Sequence, residues 1–218
     1  MTIQNTINLL AQTTLKREGF YSADLDGLWG PASATAALSW QQHNVSLAAT
    51  TDVASTQTLS VRTLANIATL DPKAQGPFRT FMEAAQLIAN RNGGRYEMIS
   101  GRRTWLEQER LYAVSQAGGP HAAAPGYSFH NYGCAADMGF MVMFNGREIY
   151  MDGGDSRQQA LAEQVHADIG MTSKQFGLIW GGIFSGRSTD TPHFQMDVGH
   201  LTPTNEDRAK FQASGSIL

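Results

Sequence analysis

The sequence predicts an α+β fold in which a small three-helix N-terminal domain precedes a larger α+β domain with a short antiparallel sheet. Apolar residues recur at helical spacing in the first part of the chain. Asn145-Gly146, the strongest short hairpin signal, separates two strand-like runs. Most of the 22 glycines come late in the chain, which favours turns and loop-borne sites in the second domain.

The first domain is assigned to residues 1–66. Three helices are expected: over residues 3–18, from Pro31 to about His43, and from near Ser55 through Leu64. Gly19 stands where the first helix should stop, and Pro31 suits the first position of the second.

Residues 67–77 are expected to form a linker, because Asp71-Pro72 and Gly76-Pro77 break regular structure. The second domain then covers residues 78–218. Its expected elements are a helix over 78–89, a strand over 96–100, a helix from Thr104 to about Ala117, strands over 135–144 and 147–151, a helix over 156–169 and a strand over 193–196. Thr104 and Glu107 form a capping box at the start of the second of these helices.

Composition excludes several classes of protein. The net charge of −3 excludes a strongly basic nucleic-acid binder. The single cysteine, Cys134, permits no intrachain disulfide. No apolar stretch approaches the roughly 20 residues of a membrane helix, so no membrane insertion is expected. The N-terminus lacks the apolar core of a secretory signal, so synthesis in the cytoplasm without a signal peptide is expected.

Three residues of the second domain, His130, Asp137 and His193, have the donor types of a metal site. Zinc bonds of about 2.0–2.2 Å require donor atoms within roughly 3.5 Å of one another. An extended chain would separate His130 from Asp137 by about 23 Å, so the chain must fold back between them, and Gly133 permits that reversal. Two histidines, one carboxylate and an open position are the composition of a catalytic zinc site.

Asp190 and Arg103 are the candidate catalytic residues beside this group. Pro192 biases Thr191 away from helix, so Asp190 belongs to the loop that enters the strand of His193. The Asp190 carboxylate can accept a proton from a metal-activated water, and Arg103 can hold a developing oxyanion. Taken alone, Asp190 could equally be a turn residue and Arg103 a solvated charge at a helix start.

Three motifs resemble those of the M15 zinc peptidases, the family of D-alanyl-D-alanine carboxypeptidases and L-alanyl-D-glutamate endopeptidases. Ser128 to Asp137 is similar to the family pattern S-x-H-x-x-G-x-A-x-D, and Asp190 to His193 is similar to its acidic-x-x-His motif. Ser100 to Thr104, with Gln108, is similar to its S-G-Y-R-[ST] motif and following Gln. The motifs occur in the family's order, and the resemblance spans roughly residues 77–198.

The resemblance implies one zinc ion per chain, held by His130, Asp137 and His193. It also implies Asp190 as the base and Arg103 as the residue that stabilises the transition state. Further substrate contacts are expected from Ser128, Gln108, Tyr132 and Trp180.

The chain departs from the family pattern at two places. Arg102 replaces the usual aromatic residue of the first motif. The second motif has Asp190 where many members have Glu, and Pro192 followed by His193 and Phe194. This form is similar to phage lysis enzymes of the family, which favours endopeptidase over carboxypeptidase activity.

The N-terminal segment resembles the three-helix peptidoglycan-binding domain of cell-wall hydrolases. Gly19 to Tyr21, Asp26 to Pro31 and Trp40 to Gln42 are similar to its motifs G-[FY]-Y, D-G-x-[WF]-G and F-Q. The resemblance implies a shallow groove in which Tyr21 or Trp29 contacts the wall, although Trp29 could equally be a core residue.

Together the resemblances imply a modular, monomeric phage-type endolysin. It would bind peptidoglycan, cut the murein stem peptide with zinc, most readily at the L-alanyl-D-glutamate bond, and reach the wall in the periplasm once a separate pore-former opens the host membrane. The alternatives are a D-alanyl-D-alanine carboxypeptidase or cross-link endopeptidase, a cysteine peptidase using Cys134 with His193 and Asp190, and a non-catalytic wall-binding protein.

Overall fold

The computed structural model describes residues 3–17, 19–37, 39, 59–184 and 189–218. Its helices are α1 (Ile3–Arg17), α2 (Val61–Thr69), α3 (Pro72–Arg91), α4 (Trp105–Gln116), α5 (Ser156–Gly170) and α6 (Asn205–Ser214), and residues 31–37 are also helical. The strands are β1 (Arg95–Ser100), β2 (Ala135–Phe144), β3 (Arg147–Tyr150), β4 (Leu178–Trp180) and β5 (His193–Met196). The α+β class is confirmed. The predicted helix start near Ser55 and the Trp40 to Gln42 motif lie outside the described residues.

The strands form an antiparallel sheet that is organised by β2. One edge of β2 pairs with β1, and the sheet continues from β2 to β5 and β4. The other edge of β2 pairs with β5 over residues 135–137 and with β3 over residues 141–144. Asn145 and Gly146, both at positive φ, close the predicted β2–β3 hairpin. Two strands therefore meet one edge of β2, with Gly139 between them.

Helix α3 covers one face of this sheet with its apolar stripe. The buried residues at this interface are Phe78, Phe81, Met82 and Ala85 of α3 and Met98, Met138, Phe140 and Phe194 of the strands. The Phe81 and Phe194 rings lie 4.7 Å apart. Because side chains alternate along a strand, Asp137 and Gly139 point to the opposite face, where the candidate site lies.

The predicted linker over residues 67–77 is helical over most of its length. Asp71 caps α3 by accepting a hydrogen bond from the Lys73 N–H, and Pro72 occupies the first helical turn. Asp71-Pro72 therefore begins a helix where the sequence predicted a break, because proline is tolerated at the first position of a helix. Pro77 lies inside α3 and removes one helical hydrogen bond, a cost offset by the burial of Phe78 on the sheet.

The described part of the predicted third helix, α2, packs against the sheet. Thr63 Oγ1 donates to Glu97 Oε2 at 2.7 Å and accepts from the Met98 N–H at 3.1 Å. Asn66 Nδ2 donates to the Met98 carbonyl at 2.7 Å. The proposed domain boundary at residue 66 thus falls within a helix that is bonded to β1. The division of the chain into two functional domains stays a prediction.

Helix α1 contacts α5 through buried polar groups. Thr14 Oγ1 donates to Asp168 Oδ1 at 2.7 Å, and Gln164 Nε2 donates to the same oxygen at 2.8 Å. Arg17 lies 3.5 Å from the other carboxylate oxygen. The N-terminal segment is therefore held directly against the larger part of the chain. Within the described residues, no helix is long and apolar enough to cross a membrane.

Candidate active site

His130, Asp137 and His193 bring three donor atoms to one point. His130 Nε2 and His193 Nδ1 each lie 3.1 Å from Asp137 Oδ1, and the two nitrogens are 3.3 Å apart. In a tetrahedral zinc site with bonds near 2.0–2.1 Å, the donor atoms are about 3.3 Å apart. The three residues therefore have both the chemistry and the spacing of zinc ligands.

The local chain path explains how these ligands meet. His130 lies in the 3-10 turn Phe129–Tyr132, which ends at Gly133 with a φ of 70°. A Cβ atom on Gly133 would lie 2.6 Å from the Asp71 backbone nitrogen, so glycine is needed for space as well as for φ. His193 begins β5 directly opposite Asp137. The chain reversal predicted at Gly133 is confirmed.

Outer hydrogen bonds fix which nitrogen of each histidine faces the metal. His130 Nδ1 donates to the Gly101 carbonyl at 2.7 Å, and His193 Nε2 donates to Gln195 Oε1 at 3.1 Å. His130 Nε2 and His193 Nδ1 thereby face Asp137 Oδ1 and are the nitrogens that would bind a metal ion. Gln195 was missed by the sequence reasoning. Its signal was the His-x-Gln spacing within a strand, which places both side chains on one face.

The electrostatics of the group favour metal binding. Burial lowers the pKa of His130, so its imidazole is neutral at physiological pH. For Asp137, burial acts upward, but His130 and His193 outweigh it and hold the pKa well below its usual range. For His193, burial acts downward, but its bond to Asp137 outweighs it and raises the pKa. A carboxylate facing two imidazoles is a site prepared for a cation.

Arg103 lies beside the metal group, which consists of His130, Asp137 and His193. Its guanidinium forms an ion pair with Asp137 Oδ2 and donates from Nε to Ser100 Oγ at 3.2 Å. Its backbone N–H donates to the His130 carbonyl at 3.0 Å. Asn131, another residue that sequence reasoning missed, donates to the Arg103 carbonyl at 3.2 Å and is buried. The structure thus brings Arg103 to the site, as the sequence predicted.

Asp190 lies in the turn before β5. Its N–H donates to the Gly181 carbonyl at 3.1 Å, and its own carbonyl accepts from the His193 N–H at 3.1 Å. Desolvation by the surrounding protein and the negative charge of Asp137 raise the pKa of the Asp190 carboxyl. The Asp190 carboxyl therefore interacts electrostatically with Asp137 without being one of the three residues whose donor atoms converge.

Of the four residues predicted to contact substrate, only Ser128 is partly accessible to solvent, and the other three are buried. Ser128 is half-buried, and its side chain makes no capping bond. Tyr132 is buried and donates to the Gly126 carbonyl, and Trp180 is buried and donates to the Thr191 carbonyl. Gln108 is buried and supports the following loop by donating to the Ala123 carbonyl. Tyr132 and Trp180, predicted as substrate contacts, thus direct their polar atoms to the protein interior. Gln108 does so through Nε2, whereas its buried Oε1 has no hydrogen-bond partner within the described residues.

Cys134 cannot serve as a nucleophile. Its thiol is buried within an apolar cluster with Phe129, Tyr132 and Ile217. Burial raises the pKa of the thiol to about 12, so it is protonated at physiological pH. The cysteine peptidase alternative is therefore wrong.

In the N-terminal segment, Trp29 is 43% exposed, whereas Tyr21 is buried. Tyr21 lines a cavity of about 390 Å³ with residues that include Phe20, Pro31 and Thr35. The Tyr21 hydroxyl donates to the Asp24 carbonyl, so it is the ring that faces the cavity.

A family model and two solved structures are similar to parts of this chain. Residues 122–196 match the model of an M15 peptidase family described as D-alanyl-D-alanine carboxypeptidase. A search of curated protein sequences gave no match. The L-Ala D-Glu endopeptidase ChiX of Serratia marcescens is 18% identical, with a TM-score of 0.40, over 63% of this chain and 88% of that chain. A mutant of the vancomycin resistance D,D-pentapeptidase VanY, in complex with Zn(II), is 19% identical, with a TM-score of 0.40, over 67% of this chain and 80% of that chain.

The matched segment contains His130, Asp137, Asp190 and His193, and Arg103 reaches the site from outside it. Residues 122–196 thus match an M15 peptidase family, and their His–Asp–His group gives the chain the donor set of a zinc metallopeptidase.

Proposed function

We propose that this protein is a peptidoglycan endopeptidase that hydrolyses the L-alanyl-D-glutamate amide of the murein stem peptide. The convergence of His130, Asp137 and His193 within a segment that matches a D-alanyl-D-alanine carboxypeptidase family carries this proposal. The phage-like form of the second motif, Asp190 with Pro192, favours the endopeptidase reaction.

Zinc held by the three ligands would supply a Lewis acid that polarises the scissile carbonyl and acidifies water. Asp190 accepts the proton of the attacking water and delivers it to the leaving amine. Burial raises the pKa of its carboxyl, a direction that suits a general base. Arg103 faces the developing oxyanion with a permanent charge, and its bonds to Asp137 and Ser100 hold that charge in place.

The N-terminal segment supports an endolysin role in this proposal. Its exposed Trp29 and the cavity beside Tyr21 offer aromatic surface for sugar or peptide. Attachment to the wall would raise the local substrate concentration without new contacts at the metal group.

Product analysis tests the bond assignment. Purified murein is digested with the zinc-loaded protein and the products are identified by mass spectrometry, with His193→Ala as the blank. We expect new N-terminal D-glutamate and stem peptides that lack L-alanine. Release of free D-alanine alone would replace the endopeptidase with the D-alanyl-D-alanine carboxypeptidase, the second candidate that the family description favours. No cleavage at all would leave a wall-binding protein.

A further inference from the structure

The edge of β2 beside the metal group carries an aromatic residue that the reaction described above does not use. β5 pairs with Asp137 on this edge and β3 pairs with Met141, so Gly139 lies in the gap between the two strands. Tyr150 of β3 is the partner of Met141. Since paired residues share a face and residues two apart alternate back to it, Tyr150 lies on the same face as Asp137.

Two glycines fix the position of the Tyr150 ring. A Cβ atom on Gly139 would lie 2.6 Å from Tyr150 Cε2, and one on Gly153 would lie 3.2 Å from Cδ1. One edge of the ring therefore rests on Gly139 and the other on Gly153. Because the ring begins at the level of Met141 and reaches Gly139, the side chain extends along β2 toward Asp137.

Tyr150 is available to a ligand. The residue is 39% exposed, and its hydroxyl makes no hydrogen bond within the described part of the chain. Burial, followed by the charges of Asp152 and Asp137, raises the pKa of the phenol to about 12. The hydroxyl is therefore protonated at physiological pH and can donate a hydrogen bond.

We propose that Tyr150 is a substrate-binding residue whose ring forms the β3 wall of the cleft and whose hydroxyl donates to an oxygen of the peptide next to the scissile amide. This inference rests on the proposed function, because it takes the murein stem peptide as the ligand. Tyrosine suits the role, since it offers apolar area together with one polar handle at low entropic cost.

The test compares Tyr150→Phe and Tyr150→Ala with the wild type, using soluble muropeptides from purified murein. We expect Tyr150→Phe to raise KM about fivefold and to change kcat by less than about twofold, because one hydrogen bond is lost. Tyr150→Ala should raise KM further, because the apolar contact of the aromatic ring with the peptide is lost as well. Bound zinc should stay at the wild-type level in both variants. Tyr112→Phe, on α4, is the matched control and should leave KM unchanged.

Gly139→Ala provides a second, independent variant. The added methyl group would collide with the Tyr150 ring. Gly139→Ala should therefore raise KM when Tyr150 is present and should have no further effect on KM in the Tyr150→Ala variant. Equal effects in both backgrounds would mean that Gly139 acts on the fold and not through the Tyr150 wall.

Muropeptide binding to zinc-loaded Asp190→Asn, measured by calorimetry with and without Tyr150→Phe, separates this inference from the proposed function. If the wild type cleaves but Tyr150→Phe changes neither KM nor binding, the Tyr150 inference is overturned alone. If muropeptides bind in a Tyr150-dependent way but are not cleaved, hydrolysis is overturned and the inference stands. If they neither bind nor react, both are overturned.

Discussion

The group of His130, Asp137 and His193 and the N-terminal turn over residues 26–28 each combine a glycine turn with a buried polar side chain. They differ in what the polar atoms bond to. In the N-terminal segment the buried Gln12 donates to Asp26 Oδ1 and the Leu28 carbonyl and accepts from the Gly27 N–H, each at 2.9 Å. The polar atoms of that turn are satisfied by the protein itself.

At the metal group, by contrast, three acceptor atoms face one another. His130, Asp137 and His193 each direct a lone pair to a common point, while their outer bonds to Gly101 and Gln195 fix that arrangement. Such convergence costs free energy unless a proton or a metal cation lies between the atoms. A turn whose polar atoms bond to the rest of the protein is thus a structural feature, whereas metal-binding atoms that converge on one point indicate a ligand.

The largest effect that follows from this comparison concerns Asp190, a carboxyl that does not belong to the group of converging donor atoms. Asp190→Asn should lower kcat by about 10²–10⁴, because the proton acceptor is lost. Zinc content should be unchanged. Kinetics on soluble muropeptides and metal analysis check this, with the exposed Asp24→Asn as control. Loss of zinc together with activity would show that Asp190 supports the metal group and not the proton transfer.

Gln195 tests the outer bonds of the metal group. Gln195→Leu removes the acceptor that orients His193, so the affinity for zinc should fall about 10–100-fold. Competition with a chelator measures this affinity. Gln116→Leu, at the exposed end of α4, is the control. An unchanged affinity for zinc would mean that the position of His193 on β5 orients its ring without the bond to Gln195.

A substitution of Gln12 tests whether the N-terminal turn has a structural role only. Gln12→Leu leaves the Gly27 N–H and the Leu28 carbonyl without partners and should lower the free energy of unfolding by about 1–3 kcal/mol. Activity on soluble muropeptides should stay within about twofold of the wild type. Thermal unfolding and kinetics measure both, with the exposed Thr13→Ala as control. A large loss of activity would show that the two regions are coupled.

The smallest effect concerns Asp168, the buried carboxylate between α1 and α5. Burial raises its pKa in the folded protein, so the folded state binds this proton more tightly than the unfolded state. Stability from this group is therefore present at low pH and is lost as pH rises from about 3.8 through the folded pKa.

The Tm of the wild type, relative to Asp168→Asn, should accordingly fall as pH increases across this range, by no more than about 4 °C. Scans at several pH values measure it. A rise in the relative Tm with pH would mean that Thr14, Gln164 and Arg17 outweigh the burial of Asp168.

Sequence reasoning succeeded where the signal is local. The Asn145-Gly146 hairpin and the Thr104 cap of α4 were predicted because each depends on a few adjacent residues. The convergence of His130, Asp137 and His193 was predicted because a motif fixes their order along the chain. Helix α6 was missed, although Thr204 and Asp207 form a capping box at its start.

The remaining differences depend on contacts between distant segments. Asp71-Pro72 was taken as a break because the packing of α3 on the sheet cannot be read locally. Burial of Tyr132 and Trp180 follows from tertiary packing, and an aromatic residue inside a motif looks the same whether it faces substrate or core. The placement of Tyr150 next to the metal group needs the β2–β3 register, which brings it over Gly139.

The most direct test of the account is the zinc content of the purified protein after exhaustive dialysis, compared with His130→Ala and the exposed control His121→Ala. We expect about one zinc ion per chain in the wild type and in the control, and almost none in a folded His130→Ala variant. A wild type without zinc, or a His130→Ala variant that retains it, would contradict the central claim that the convergent His–Asp–His group is a zinc site.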